Sequence, residues 1–206
     1  TEIMGVEGAM SFPVGLLGAG GAKSYNFDIY SVSKDYMGLK SLGGEQKKDG
    51  WKILNIQKKD NVDFIGNITD LSQFENNSIE EIYASHVFEH VLQSEVNKTL
   101  KGIHRVLVDG GKFYVSVPDM DILCRMFIDP KAPLKVKHHA MKMMFGGQID
   151  KFDIHYFGWN HQFMIDFFAH AGFKKLERVK SFNLFKDTSD YAPYGQPISL
   201  NVIAIK

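Results

Sequence analysis

The alternation of apolar and polar positions is clearest between residues 79 and 119, where it predicts a strand, a helix and a second strand. The apolar segment 82–84 predicts a short strand. From residue 93 to residue 107, apolar side chains recur at intervals of four, three and four residues, which predicts one buried face of a helix. The β-branched and aromatic segment 112–117 predicts a second buried strand.

The turns around this helix predict where a ligand binds. Gly110 and Gly111 are expected to end the helix, because glycine adopts the left-handed conformation that a helix end requires. A strand, a crossover helix and a second strand form a parallel unit, and ligands of such sheets lie at the carboxyl ends of the strands. We therefore expect Ser85, His86 and Asp119 at the ligand-binding edge.

The same pattern predicts further elements on both sides of this unit. Three short strands precede it and two strands follow the helical second half of the chain. Asp119 is placed to cap a helix, and glycine follows each of the next two predicted helices. The predicted strands are 37–42, 51–57, 62–65, 174–182 and 199–205, and the predicted helices are 119–129, 134–145 and 161–171.

Composition indicates a globular protein without a charge bias. The chain has 206 residues, with 24 Lys and Arg balanced by 24 Asp and Glu, so nothing favours nucleic acid as a partner. The single cysteine, Cys124, excludes an internal disulfide. The sequence lacks both a membrane-spanning apolar run and a basic signal-peptide start, so a cytoplasmic location is expected. Residues 1–35 are expected to form a glycine-rich arm, and residues 36–206 one domain.

Four blocks, in order and spacing, give this chain its resemblance to a known family. From about residue 39 to residue 206 it resembles the class I S-adenosylmethionine-dependent methyltransferases, in particular the small single-domain bacterial type. This resemblance implies an α/β, Rossmann-like fold with a seven-stranded, mostly parallel sheet, helices on both faces and an antiparallel last strand. The matching blocks are Leu42-Gly43-Gly44, residues 66–71 (GNITDL), residues 83–90 (YASHVFEH) and residues 105–111 (RVLVDGG).

The resemblance also implies a set of cofactor-binding residues. A glycine turn lets the backbone approach the methionine part of the cofactor, an acceptor after the second strand binds the ribose, and a polar group after the third strand binds the adenine. Ser85 is expected to border the methionine end. Matched by position, the binding residues are Gly43, Gly44, Glu45, Gln57 (or Asn55 if the register shifts), Asn67, Ile68 and Ser85.

Three of these positions depart from the family pattern. Glu45 replaces a glycine, and Gln57 and Asn67 replace acids, so two of the expected hydrogen bonds to the cofactor lose the strength that a charged acceptor would add.

The resemblance leads to two hypotheses about function. The main hypothesis is a methyltransferase that uses S-adenosylmethionine to modify a small-molecule or cell-envelope-type acceptor. The alternative is a methyltransferase-fold protein that lacks activity and serves as a binding or partner subunit. An oligomer is compatible with both.

Two histidines are candidates for catalysis at the side of the site where the acceptor would bind. If the acceptor is a hydroxyl, His86 or His155 is suited to take its proton, since imidazole titrates near neutral pH. Asp153, Tyr156 and His161 are the expected substrate contacts. His86-Val87-Phe88-Glu89-His90 also fits the His-x-x-Glu-His pattern of inverted zinc peptidases, but that pattern requires an established helix, and His86 is expected at a strand end. The remaining histidines match no standard ligand spacing, so no metal is expected.

Overall fold

The computed structural model describes residues 28–29, 39–41, 50–56, 58, 60–148 and 153–206. Within these ranges, strands alternate with helices along the chain. The strands are β1 (Asp28–Ile29), β2 (Leu39–Ser41), β3 (Lys52–Asn55), β4 (Phe64–Ile65), β5 (Ile79–Ser85), β6 (Leu107–Pro118), β7 (Lys175–Val179) and β8 (Ser199–Ile205). The helices are α1 (Val96–Val106), α2 (Met120–Ile128), α3 (Leu134–Phe145) and α4 (His161–Ala171).

The described strands form one mixed sheet. Its order is β1-β3-β2-β5-β6-β8-β7, and β4 pairs with β3 outside this path. Strands β2 to β6 pair in parallel, and β8 lies antiparallel between β6 and β7. The fold is therefore Rossmann-like α/β with an antiparallel last strand, as expected. The expected count of seven strands is not confirmed, because the described residues form eight.

The eighth strand is β1, in the region that was expected to be an N-terminal arm. Asp28 and Ile29 pair antiparallel with Asn55 and Leu54 of β3. Among the described residues, no helix is long and apolar enough to cross a membrane.

The helix α1 ends earlier than its glycines predict. It stops at Val106, because Leu107 is already extended and buries its side chain in the core. The pairing of β5 with β6 then shifts, from Ile79 opposite Leu107 to Glu81 opposite Lys112. Gly110, with a φ of +78°, lies in the resulting bulge, so the prediction that it ends the helix is wrong.

The other helices begin and end where their capping residues predict. Asp119 accepts hydrogen bonds from the backbone N–H groups of Asp121 and Ile122 at the start of α2. Helix α3 ends before Gly146, and α4 ends at Gly172 in the left-handed conformation. These boundaries are confirmed.

The two faces of the sheet are covered differently. Helices α1 and α4 pack on one face, where Leu100, Phe113 and Phe168 belong to the main core. On the opposite face, aromatic side chains from the loops surround Tyr83 and Tyr114. The expectation of helices on both faces is thus not confirmed within the described ranges.

Candidate active site

Three parallel strands end together at one edge of the sheet. Strand β2 lies between β3 and β5, with Leu39 opposite both Lys52 and Ile82. The chain passes from β2 to β3 on one side and later returns to β5 on the other, so the strand order reverses at β2. Open α/β sheets bind ligands at such a switch point, beyond the carboxyl ends of the strands. The carboxyl ends here are Ser41, Asn55 and Ser85.

Four of the expected cofactor-binding residues, Gly43, Gly44, Glu45 and Gln57, lie outside the described residues. The alternative to Gln57, Asn55, is the last residue of β3 and is fully buried. It lies at the edge formed by the switch point.

Asn67 and Ile68 form the turn after β4. The Oδ1 of Asn67 accepts a hydrogen bond from the backbone N–H of Thr69 at 3.2 Å, and Ile68 is buried in the core. An amide oxygen has two lone pairs and its nitrogen two protons, so the exposed Asn67 side chain retains capacity for a ligand. Amide side chains can hydrogen-bond both hydroxyl and amine groups of a ligand.

The hydroxyl of Ser85, at the carboxyl end of β5, contacts the loop that follows β7. Its Oγ donates to Asp187 Oδ1 at 3.2 Å and lies 3.4 Å from Thr188 Oγ1. Asp187 also accepts from the Tyr83 hydroxyl at 2.8 Å. The loop after β7 is thereby fixed against the end of β5, a role for Asp187 that no motif indicated.

His86 follows Ser85 in a strained conformation. Its φ is +52°, which is uncommon for a residue with a side chain and often occurs at functional sites. The ring Nε2 lies 2.9 Å from Ser199 Oγ, and Nδ1 lies 3.3 Å from Glu89 Oε1. Since the Ser199 hydroxyl donates to the carbonyl oxygen of Thr188, its oxygen accepts from His86. Both ring nitrogens thus face acceptors.

Glu89 places a carboxylate in the interior beside three imidazoles. The residue is 1% exposed. Burial alone raises the pKa of Glu89, but the contact with His86 and the charges of His86, His90 and His155 outweigh it and lower that pKa. The carboxylate is therefore ionised at neutral pH.

His155 lies next to Glu89 because two backbone segments are joined. The backbone N–H groups of Tyr156 and Phe157 both donate to the carbonyl oxygen of Glu89, at 2.8 and 3.1 Å. His155 Nδ1 bonds the carbonyl oxygen of Met143 at 2.9 Å. Burial lowers the pKa of His155 below its ordinary value, which favours the neutral ring.

The expected substrate contacts differ in exposure and in position. Asp153 is buried, Tyr156 is 39% exposed, and His161 is the first residue of α4. No hydrogen bond or ion pair in the described part of the chain joins the His161 side chain to His86 or His155. Another histidine, His139 of α3, packs edge to face against the rings of Tyr191 and Tyr194.

The convergence of Glu89 and His90 with His155 could not be read from spacing. The His-x-x-Glu-His pattern marked the first two residues, but not a partner more than sixty positions away. The available indication was that His155 lies between Asp153 and Tyr156, which are expected substrate contacts.

We compared the chain with protein-family models and with curated proteins. Residues 23–115, slightly less than half of the chain, match the family model of a methyltransferase domain. No curated protein matches the chain significantly.

Several solved structures are similar to the chain at low identity. A SAM-dependent methyltransferase from Archaeoglobus fulgidus is 13% identical with a TM-score of 0.46, over 74% of each chain. Human N-acetylserotonin methyltransferase in complex with SAM is 14% identical with a TM-score of 0.42, over 73% of this chain and 35% of its own. An O-methyltransferase-type protein from Nostoc punctiforme is 13% identical with a TM-score of 0.43, over 69% of this chain and 36% of its own. The chain thus spans about a third of the length of the last two, and from TM-scores below 0.5 we draw no conclusion.

Proposed function

We propose that the chain is a class I S-adenosylmethionine-dependent methyltransferase, which transfers a methyl group from S-adenosylmethionine to a small-molecule or cell-envelope-type acceptor. The observation that carries the proposal is the switch point at β2, where the strand ends leave amide and hydroxyl side chains at one edge. The family match over residues 23–115 covers this edge.

The cofactor-binding role falls to residues after the first three parallel strands of the sheet. Gly43 and Gly44 would approach the methionine part, Gln57 or Asn55 the ribose, and Asn67 with Ile68 the adenine. S-adenosylmethionine supplies an activated methyl group on a sulfonium cation. Ser85, already bonded to Asp187, borders this site as a fixed part of its wall.

The two histidines predicted to be catalytic differ in what they can do. His86 faces acceptors with both nitrogens, so we assign it to orienting groups at the strand end. His155 donates its Nδ1 proton to a carbonyl oxygen, which leaves a lone pair on Nε2 of the neutral ring. His155 is therefore the better candidate for taking a proton from a hydroxyl acceptor. Alignment of the acceptor with the methyl group supplies much of the remaining rate.

Calorimetric titration of the full chain with S-adenosylmethionine and S-adenosylhomocysteine tests this proposal. We expect saturable binding at one site. A ligand at one hundred times its Kd adds about 2.7 kcal/mol of stability, which raises the Tm by about 5–11 °C at this size. Absence of both heat and a Tm shift at millimolar ligand would overturn the proposal and favour the partner-subunit alternative.

Two variants locate the site. Asn67→Ala is expected to weaken cofactor binding, since it removes the amide after β4. Asn97→Ala makes the same truncation on an exposed position of α1 and should leave binding unchanged. Equal affinities of both variants would place the cofactor elsewhere.

A further inference from the structure

Glu89, His90 and His155 form a cluster of potential metal ligands. One ligand atom from each residue lies within 4.8 Å of those of the other two. The His90 and His155 rings meet edge to face, with centroids 4.7 Å apart. Two imidazoles and a carboxylate at this spacing can reach a single ion.

The hydrogen bonds of both histidines orient them as metal ligands. His90 Nδ1 lies 3.0 Å from the carbonyl oxygen of Ile154, and His155 Nδ1 lies 2.9 Å from that of Met143. A carbonyl oxygen only accepts, so each Nδ1 carries a proton, and in the neutral form of each ring Nε2 has the lone pair that binds a metal. Histidines that bind metals commonly donate their other ring N–H to a backbone carbonyl in this way.

The carboxylate of Glu89 supplies an independent observation. Its side chain is 2% exposed, and among the described residues only the long contact from His86 reaches a carboxylate oxygen, without good hydrogen-bond geometry. A buried carboxylate that lacks good hydrogen bonds is costly unless a positive charge or a metal compensates it. His86 Nδ1 lies 3.3 Å from Oε1, while Oε2 has no hydrogen-bond partner among the described residues.

Backbone hydrogen bonds hold the three residues in place without a ligand. Tyr156 and Phe157 bond the carbonyl oxygen of Glu89, and the Trp159 indole donates to the carbonyl oxygen of Phe88 at 3.3 Å. The 3-10 turn Phe88–His90 is thereby joined to the segment that carries His155. An ion would need little rearrangement to bind.

We propose that Glu89, His90 and His155 bind one divalent transition-metal ion, with Zn²⁺ as the ion that this ligand set suits best. Two histidines and one glutamate occur in zinc sites that keep a fourth position open for water or a substrate oxygen. His86 would then hold Glu89 from outside the ligand shell. One lone pair cannot bind a proton and an ion together, so in the metal-bound protein His155 is a ligand and not a base.

The first test measures zinc binding by the full chain after treatment with a chelator and dialysis. Titration with ZnCl₂ against a chromophoric chelator should show one ion per chain with a micromolar or lower Kd. Mg²⁺ should compete poorly, since it prefers oxygen ligands. Because no S-adenosylmethionine is present, a failure here would not affect the proposed function, and a failure to bind cofactor would not affect this result.

Variants then assign the ligands. His155→Gln and Glu89→Gln should each raise the Kd for zinc at least about tenfold. His170→Gln removes an exposed histidine of α4 and should leave the Kd unchanged. Zinc binding that is absent, or that survives both ligand variants, would overturn the proposal.

X-ray absorption on the unmodified zinc protein gives a readout that does not depend on variants that fold. Two imidazoles with Zn–N distances of about 2.0–2.1 Å and no sulfur are expected. A Zn–S distance of about 2.3 Å would instead point to the exposed thiol of Cys124 and overturn the proposal. Cys124→Ser should leave zinc binding unchanged.

Discussion

The hydroxyl of Tyr83 donates a hydrogen bond to Asp187 Oδ2 at 2.8 Å, joining a central strand to a loop 104 positions further along the chain. Asp187 also accepts from the Ser85 hydroxyl and from the backbone N–H of Ser189. Burial, followed by the charge of Asp187, raises the pKa of Tyr83 above its ordinary value. One wall of the candidate site is therefore held by several hydrogen bonds to the half-buried carboxylate of Asp187.

Tyr83→Phe should lower the free energy of unfolding by about 1–2 kcal/mol, because Asp187 loses a donor in a buried setting. Urea denaturation measures the change. Tyr191→Phe is the matched control, since its side chain is 38% exposed. It should change stability by less than about 0.5 kcal/mol. Equal effects of the two variants would contradict the role assigned to Asp187.

The boundaries of helices and strands in this chain are predicted well from sequence where nearby residues alone determine them. Helix α3, helix α4 and strand β8 have the predicted boundaries, because glycines and a clear apolar pattern define them. The glycines at 110 and 111 misled, because a glycine can relieve a strand bulge as well as end a helix. Only the pairing of β5 with β6, which is not local, decides between the two.

The candidate site could be predicted in part. Ser85 and His86 lie at the end of β5, as expected from a parallel unit. The neighbours that define their chemistry, Asp187 and Ser199, come from the other end of the chain. No periodicity connects such distant positions, so sequence gave the location of the edge but not the contacts made there.

Asp119 should contribute to stability through two separate atoms. Oδ1 caps α2, and Oδ2 accepts from Arg178 Nη2 at 2.7 Å. Asp119→Ala loses both contacts and should cost about 2 kcal/mol. Asp119→Asn keeps the cap acceptor and should cost about half as much, since Arg178 is half exposed.

The control for these variants is Asp129→Ala, at the other end of α2. Within the described part of the chain, Asp129 Oδ1 accepts one hydrogen bond, from the exposed backbone N–H of Lys131. Chemical denaturation should show a change within about 0.5 kcal/mol. If Asp119→Asn proves as costly as Asp119→Ala, the ion pair and not the cap dominates.

The lowered pKa of His139 should make the free energy of unfolding depend on pH. Burial, with smaller contributions from the charges of Lys142 and His138, lowers the pKa of His139. The unfolded chain then binds a proton at higher pH than the folded one, so stability is full above about pH 6.5 and decreases as pH falls through that value.

Replacing His139 should reduce this loss. His139→Gln removes the titrating group, so its free energy of unfolding should fall less between about pH 8 and pH 5.5 than that of the unmodified chain. Tyr194→Phe removes the hydroxyl 3.2 Å from His139 Nδ1 but keeps the imidazole, and should retain the loss. A slope that is unchanged in His139→Gln would assign the effect to other groups.

Restoring an acid at position 67 tests the cofactor assignment. Asn67→Asp keeps the oxygen that accepts from Thr69 and adds a charge-assisted bond to the ligand. The gain should be about 1 kcal/mol, or about fivefold in the Kd for S-adenosylmethionine. Asn97→Asp adds the same charge on α1 and should leave the Kd unchanged. A loss of affinity in Asn67→Asp would mean that this turn does not bind the adenine.

Gly146 and Gly102 occupy contrasting backbone positions, one that requires glycine and one inside a helix that does not. Gly146 follows α3 with a φ of +84° and a ψ of 160°, a conformation that only glycine adopts readily. A Cβ there would overlap the carbonyl oxygen of Asp153. Gly102 lies inside α1, and a Cβ there meets nothing within 4 Å.

Alanine at these positions should therefore have opposite effects. Gly146→Ala should destabilise the fold by at least about 2 kcal/mol, while Gly102→Ala should stabilise it by about 0.5–1 kcal/mol. Gly146 also bears on the site, because the backbone N–H of His155 donates to Phe145 just before it, at 3.2 Å. We expect Gly146→Ala to weaken zinc binding at temperatures where the variant is still folded, and Gly102→Ala to leave it unchanged. Zinc affinity that is unaltered in a folded Gly146→Ala would show that the 153–155 backbone does not position His155.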